Sequence, residues 1–212
     1  MAVFGIDEAG KGPVLGPMVA ASVVGDESVL PEGIDDSKRL TPGRREELAR
    51  AIRGDERIAV GVSAIEPPRI DDPETDMNTL TVAAHAEAAA GVVREGMAGI
   101  CDAGDVDADR FARRVAERLP DVDLVAEHRA DENRSIVSAA SVIAKVERDA
   151  RIDALSTEYG DVGSGYPSDP TTRAFLADYV ADHGELPACA RTSWQTCEDV
   201  LAAADQRTLA EF

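Results

Sequence analysis

Lysine is almost missing from this chain: Lys11, Lys38 and Lys145 are the only three in 212 residues. Aromatic side chains are scarce as well, at 4%. No stretch approaches the roughly 20 apolar residues that a bilayer-crossing helix needs, so a helical membrane span is excluded. Met1 runs straight into Val3-Phe4-Gly5-Ile6 with no basic segment ahead of it, and no secretory leader is expected. Cysteine is limited to Cys101, Cys189 and Cys197. Their wide spacing fits neither a disulfide framework nor a zinc pattern, and a reducing cytoplasm is the expected setting. His85, His128 and His183 are too dispersed for a zinc site. His85, inside an Ala-rich segment, reads as structural, His128 lies close enough in sequence to Asp131 to sit near a site there, and Cys101 reads as a small buried hydrophobe.

What the chain has in excess is acid. Asp and Glu number 41 against 22 Lys and Arg, a net charge of −19. The apolar content of 44% still matches a folded domain, and the length is ample for a buried core. The acids are spread along the whole chain rather than gathered in a tail. With so little lysine, that spread suggests a high-salt cytoplasm. There the Debye length shrinks to about 3 Å at 1 M and self-repulsion is weak. A negative average argues against a nucleic-acid partner at ordinary salt, where basic contacts to phosphate supply most of the non-specific affinity. An average does not describe a cleft, however, and lysines retained in a lysine-poor chain are candidates for specific contacts.

The patterning alternates strands with helices. Strands are expected at 3–6, 18–24, 57–65, 97–101 and 122–126. Helices are expected at 42–53, where Thr41-Pro42 supplies a cap and a first-turn proline, and at 78–94, 108–118, 134–155, 169–181 and 194–204. This order predicts an α/β fold, a mixed sheet with flanking helices. Residues 1–165 form the expected catalytic domain and 166–212 a small C-terminal helical segment.

Two motifs invite misreading. Gly5 to Gly12 matches most of a phosphate-binding P-loop, which would suggest a nucleotide-binding phosphotransferase. Gly12 stands where a hydroxyl must meet magnesium, and Pro13 and Gly16-Pro17 follow where a helix should begin. Asp105-Val106-Asp107-Ala108-Asp109 imitates the start of a calcium loop, but Arg110 replaces the turn glycine and Ala116 the closing glutamate.

A more coherent constellation is acidic. Asp7-Glu8 stands at the end of the first expected strand, before a Gly-rich turn. Asp102 ends another apolar run, and Asp131 precedes a long helix. In open α/β sheets ligands gather at the carboxyl ends of strands. Several hard oxygen donors delivered there suit Mg2+ or Mn2+ rather than zinc. Two such ions could support an in-line displacement at phosphorus.

The neighbouring residues sharpen this. Asp7-Glu8-Ala9-Gly10-Lys11-Gly12 resembles the opening signature of the type 2 ribonuclease H (ribonuclease HII) family, and Asp35-Asp36-Ser37-Lys38 its second motif. Ala130-Asp131 with the run from Ala139 to Asp149 resembles the third. Gly163-Ser164-Gly165-Tyr166-Pro167-Ser168-Asp169 resembles the fourth, and Arg191-Thr192-Ser193-Trp194 the last. All three lysines fall inside these motifs. The resemblance, to an archaeal-type member adapted to high salt, implies a ribonuclease H-like fold. It implies cleavage of the RNA strand of RNA–DNA hybrids, and of ribonucleotides embedded in duplex DNA, leaving 5′-phosphate and 3′-hydroxyl ends in DNA replication and repair. It assigns Asp7, Glu8, Asp102 and Asp131 to catalysis and metal binding, with Asp105 and Asp107 as close neighbours of Asp102. It gives Gly10, Lys11 and Gly12 and the ring of Tyr166 to ribonucleotide recognition, although the family usually carries arginine where Lys11 stands. Backbone amides can read the 2′-hydroxyl when glycines let them approach, and a ring can stack on the adjacent sugar. A monomer is expected. A replication clamp is compatible with the family, though no motif read in the chain names one. A non-catalytic hybrid-binding protein is the rival reading.

Arg134, Ser138, Ser141, Lys145 and Arg148 recur at helical spacing and form one expected face. Such a stripe could track a phosphate backbone; Ser141 and Lys145 are therefore expected to contact substrate, as are Ser37 and Lys38 from a loop. The charge pattern carries its own test: the thermal midpoint should climb as KCl is raised from roughly 0.1 M to several molar, and a midpoint highest in dilute buffer would contradict the high-salt reading.

Overall fold

The computed structural model describes residues 2–34 and 40–210. Its strands are β1 (Val3–Ala9), β2 (Met18–Gly25), β3 (Ala59–Ile65), β4 (Ala98–Asp102) and β5 (Asp123–Glu127). Its helices are α1 (Pro42–Gly54), α2 (Pro67–Ile70), α3 (Met77–Ala90), α4 (Ala108–Ala116), α5 (Ser135–Tyr159), α6 (Pro170–His183) and α7 (Gln195–Ala210). The chain divides into two compact units. One comprises Met1–Gly10, Met18–Ala64 and Asp76–Arg148, the other Lys11–Pro17, Ile65–Thr75 and Asp149–Phe212. The segment 166–212 falls wholly within the second.

The first unit is built on one sheet of order β3-β2-β1-β4-β5. β1 pairs antiparallel with β2 from Val3↔Gly25 to Ala9↔Val19, and parallel with β4, which pairs parallel with β5. Every residue of β2 is buried, as befits a strand covered on both faces. Alternation along β1 and β2 sorts the side chains into two layers. On one side Ala21 and Val23 pack with Leu48 and Ile52 of α1 and Ile136, Val137, Ala140 and Ile143 of α5. On the other Phe4, Ile6 and Val24 pack with Val82 and Ala86 of α3, Cys101, and Phe111 and Val115 of α4. Each large aliphatic or aromatic side chain so buried contributes about 1.5–3 kcal/mol. Gly5 sets how closely α5 seats on the sheet: a Cβ there would lie 2.5 Å from the Ile136 carbonyl carbon. Only glycine allows that approach.

The helix starts follow the sequence. Thr41 Oγ1 accepts from the Arg44 amide at 3.3 Å ahead of Pro42, and Asp76, Asp107 and Asp169 cap α3, α4 and α6 in the same way. Several boundaries differ from expectation, among them the end of α7, which runs on to Ala210 rather than 204. β1 does not stop at Ile6 but runs on to Ala9, because the ladder to β2 continues through Asp7↔Ala21 and Glu8↔Ala20. The two acids are therefore residues of the strand itself. α3 ends at Ala90 rather than 94, with Gly91 as its cap, and α5 runs on to Tyr159.

The second unit has its own core of Val14, Leu15, Ile152, Val162, Leu176, Ala190 and Cys197. The carbonyl of Gly165 accepts from the amides of Val14 and Leu15 at 2.8 and 3.2 Å. The Asp71 carboxylate accepts from the amide and hydroxyl of Thr192 at 2.7 and 2.9 Å, and from those of Ser193 at 3.0 and 2.5 Å. Cys101, Cys189 and Cys197 are all buried free thiols. Among the described residues no helix is long and apolar enough to cross a membrane.

Asp71 gives the second unit a pH signature. Burial raises its pKa, but the bonds from Ser193 and Thr192 outweigh that and hold it below the ordinary value of 3.8. A carboxylate with a depressed folded pKa adds stability above its unfolded value and loses it as pH falls through the folded one. Asp71→Asn should therefore lower stability by about 1–2 kcal/mol near neutrality, a deficit that narrows below pH 3.8. Denaturant titrations of both proteins across that range measure it.

Candidate active site

β1, β4 and β5 are parallel, so their carboxyl ends share one edge of the sheet. Ile6 is level with Cys101, and one step further on stand Asp7 and Asp102; Asp102 is in turn level with Glu127. Successive residues of a strand face opposite sides. Asp7 thus faces the layer of α5, and Glu8 that of α3.

Asp7 is buried, and Asp7 Oδ1 accepts from the Glu8 amide at 2.8 Å. The close seat of α5 on Gly5 brings Ser141 and Lys145 of that helix to Asp7. Lys145 Nζ donates to Ser141 Oγ at 2.7 Å, beside Asp7. Burial pushes the Asp7 carboxyl well above its usual range, the charges of Glu8 and Asp102 push it further, and Ser141 and Lys145 pull it back.

Asp102 Oδ1 accepts from the Ala130 amide at 2.7 Å. That bond anchors the 3-10 turn Ala130–Glu132, entered through Arg129 in the left-handed conformation at φ 60, and the turn carries the buried Asp131. Burial raises the Asp102 carboxyl, the Ala130 bond opposes it, and the charges of Glu8 and Asp131 add to the rise. The nearby acids are committed elsewhere. Asp105 pairs with Arg110 at 2.6 Å and Asp107 caps α4, which also disposes of the calcium-loop imitation.

Glu8 has a partner that the sequence did not reveal. His85 of α3 is fully buried, its Nε2 lies 2.7 Å from Glu8 Oε2, and its ring stands edge-on to Phe111 at 5.1 Å. Among the described residues nothing bonds His85 Nδ1. The tautomer with its proton on Nε2 suits this arrangement, donating to Glu8 and leaving only a lone pair unmatched. The available signal was a polar ring amid the alanines of Val82 to Ala90, since a buried polar group requires a partner.

The expected stripe on α5 does not form one solvated face. Ser138, Ser141 and Arg148 are buried, Ser138 Oγ donates to the Ile34 carbonyl at 2.5 Å, and Arg134 forks onto Glu127 at 3.0 and 2.6 Å. α5 lies on the sheet, which buries those three side chains, while Arg134 is exposed and Lys145 half-buried. Ser141 and Lys145 are accordingly turned toward Asp7.

Gly10 is in a left-handed turn at φ 82, a conformation that favours glycine. Gly12 is exposed, outside that conformation, and an added Cβ would meet open space. Lys11 and Gly12 belong to the second unit, as does Tyr166, which is 40% exposed and so is no core ring. Ser37 and Lys38 lie outside the described residues. The P-loop reading fails on the backbone: β1 runs to Ala9, and the chain after Gly12 passes through a bridge at Leu15 into β2 without forming a helix.

Asp7 thus feels the charges of Glu8 and Asp102, and Asp102 those of Glu8 and Asp131. All their donors are hard oxygens, which suit Mg2+ or Mn2+, and positive charge would relieve their mutual repulsion. Among the described residues no three His, Cys, Asp or Glu side chains already close into a cation cage, so an ion would have to draw these carboxylates in.

The sequence profile of the family described as ribonuclease HII matches residues 4–197. A ribonuclease HII from the halophilic archaeon Haloarcula marismortui is 62% identical over 210 residues, covering 99% of each chain. The ribonuclease H2 structure from Pyrococcus horikoshii superposes with a TM-score of 0.89 at 38% identity, covering 97% of this chain and all of that one. A structure of the PCNA:RNase HII complex from Archaeoglobus fulgidus gives 0.83 at 40% identity, with 99% of both chains covered.

His85 supplies the test of this geometry. His85→Phe keeps the ring against Phe111 but removes the donor to Glu8, and should weaken Mn2+ binding by about 10–100-fold. His85→Gln, which retains a donor, should recover part of the loss, as measured by calorimetric titration.

Proposed function

The chain belongs to the ribonuclease HII family, and on that premise we propose that it is an endonuclease that cuts the RNA strand of RNA–DNA hybrids and nicks 5′ of ribonucleotides embedded in duplex DNA. The observation that carries the reading is the linking of four acids from three segments, β1, β4 and the turn after β5, in which Asp7 feels Glu8 and Asp102, and Asp102 feels Glu8 and Asp131. Asp7, Glu8, Asp102 and Asp131 would hold Mg2+ or Mn2+ in a two-ion site. When bound, such ions supply positive charge to the phosphodiester during an in-line displacement that leaves 5′-phosphate and 3′-hydroxyl ends.

The chain's own residues prepare those carboxylates. Ser141 and Lys145 hold the charge of Asp7 in a buried place, the Ala130 amide holds Asp102, and His85 holds Glu8. Recognition of the ribonucleotide falls to Gly10, Lys11 and Gly12, with the exposed ring of Tyr166 against the neighbouring sugar. Neither backbone conformation nor internal packing requires glycine at position 12. Close approach of a ribose accounts for it, with the amide of Gly12 donating to the 2′-hydroxyl. Ser37, Lys38 and Lys145 are proposed phosphate contacts.

The proposed setting is the cytoplasm, with the chain acting as a monomer in replication and repair. A sliding clamp is a proposed partner, because the Archaeoglobus fulgidus relative was solved in complex with PCNA. The acidic composition, the scarcity of lysine and the 62% identity to a ribonuclease HII from a halophilic archaeon support working conditions at high salt.

A labelled duplex carrying one ribonucleotide, incubated with Mg2+ or Mn2+ in concentrated KCl, should be nicked on the 5′ side of that nucleotide. Asp7→Asn should reduce the rate by at least about 100-fold while leaving the melting transition in place. An intact duplex under every metal and salt condition would remove the proposal.

A further inference from the structure

The backbone partners of the loop after Gly10 can be followed one by one. The amides of Val14 and Leu15 donate to Gly165, and that of Gly16 to Cys189 at 2.8 Å. The Arg191 amide donates to the Val14 carbonyl at 2.8 Å. The Arg191 side chain is wholly buried, with Nε donating to the Gly16 carbonyl at 2.9 Å and Nη1 to the Lys11 carbonyl at 3.0 Å. Trp194 Nε1 donates to the Gly12 carbonyl at 3.4 Å, and the Arg191 guanidinium lies 5.1 Å from the centre of the Trp194 ring. Between those two residues, Thr192 and Ser193 are tied to Asp71.

A peptide unit is planar and trans, so its C=O and N–H point in opposite directions. Fixing the Lys11 carbonyl on a buried guanidinium turns the Gly12 N–H the other way, outward, in keeping with the exposure of Gly12. Fixing the Gly12 carbonyl on Trp194 orients the next peptide, but its nitrogen belongs to Pro13 and carries no hydrogen. Among the described residues none accepts from the Gly12 N–H. The loop therefore presents an outward donor whose direction is set from inside. The rigid fork of a guanidinium can hold the Lys11 and Gly16 carbonyls together, and an ammonium group lacks that geometry.

We propose that Arg191 is a positioning residue for ribonucleotide recognition, aiming the Gly12 amide at the 2′-hydroxyl without touching substrate itself. The inference rests on the reading of Gly12 given under the proposed function. Binding measured in the Asp7→Asn background, which prevents cutting, tests it. Two duplexes of one sequence are compared in concentrated KCl with Mg2+, one carrying a single ribonucleotide and the other all DNA. Arg191→Lys should lower the preference for the ribonucleotide duplex by about tenfold, the scale of one hydrogen bond. Affinity for the all-DNA duplex should stay near the parent's, and the melting transition should remain cooperative. Trp194→Phe keeps a ring against Arg191 but loses the bond to Gly12, and should lower the preference by about two- to threefold. That variant decides the question if Arg191→Lys does not melt cooperatively. Folded variants with unchanged preference would overturn the proposal, as would an equal loss of affinity for both duplexes. A parent with no preference would remove the reading of Gly12 itself, and this inference with it.

Discussion

Two successive carboxylates on a strand buried from both sides cannot share one set of partners. The pleat of β1 sends Asp7 into the layer of α5 and Glu8 into the layer of α3, and each layer must contribute polar groups where the rest of it is apolar. On the α5 side the contribution is Ser141 backed by Lys145; on the α3 side it is the imidazole of His85. Both depend on tight packing. Gly5 lets α5 sit on β1 without an intervening side chain, and Phe111 supports the His85 ring from its edge. The acids are thus partnered from inside the core before any substrate arrives.

Much of this was legible in the residues, and the parts that were not share a cause. The cap at Thr41, the helix start at Asp169 and the alternation of strands with helices are local signals, and the fold follows them. The end of β1 is not local: the apolar run ends at Ile6, whereas pairing with β2 carries the strand to Ala9. The stripe on α5 has the spacing of a solvated or phosphate-facing surface, but spacing alone does not say which side meets the sheet. Choosing Asp102 over Asp105 and Asp107 rested on its place at the end of an apolar run; the structure brings Asp102 to the other acids and commits its neighbours to Arg110 and a helix cap. His85 was passed over because its partner lies 77 positions away in the chain.

The composition finds a physical use at the same positions. A chain with 41 acids keeps lysine at Lys145, where the ammonium is turned to a hydroxyl beside Asp7. The buried guanidinium of Arg191 is likewise occupied by backbone carbonyls. These cations stabilise local structure through short contacts that concentrated salt screens poorly, whereas the dispersed surface acids interact over distances that salt screens well.

The three buried thiols have a practical consequence for studying such a protein. Burial pushes Cys189 and Cys197 up to about 11, and Cys101, beside the acids, is raised further still by burial and by their charge. Only the thiolate reacts readily with alkylating dyes, so the native chain should remain unlabelled. Cys101 belongs to one compact unit and Cys189 and Cys197 to the other. Mapping which sulfur takes up a dye under mild denaturation would therefore reveal which unit loosens first, with no engineered probe.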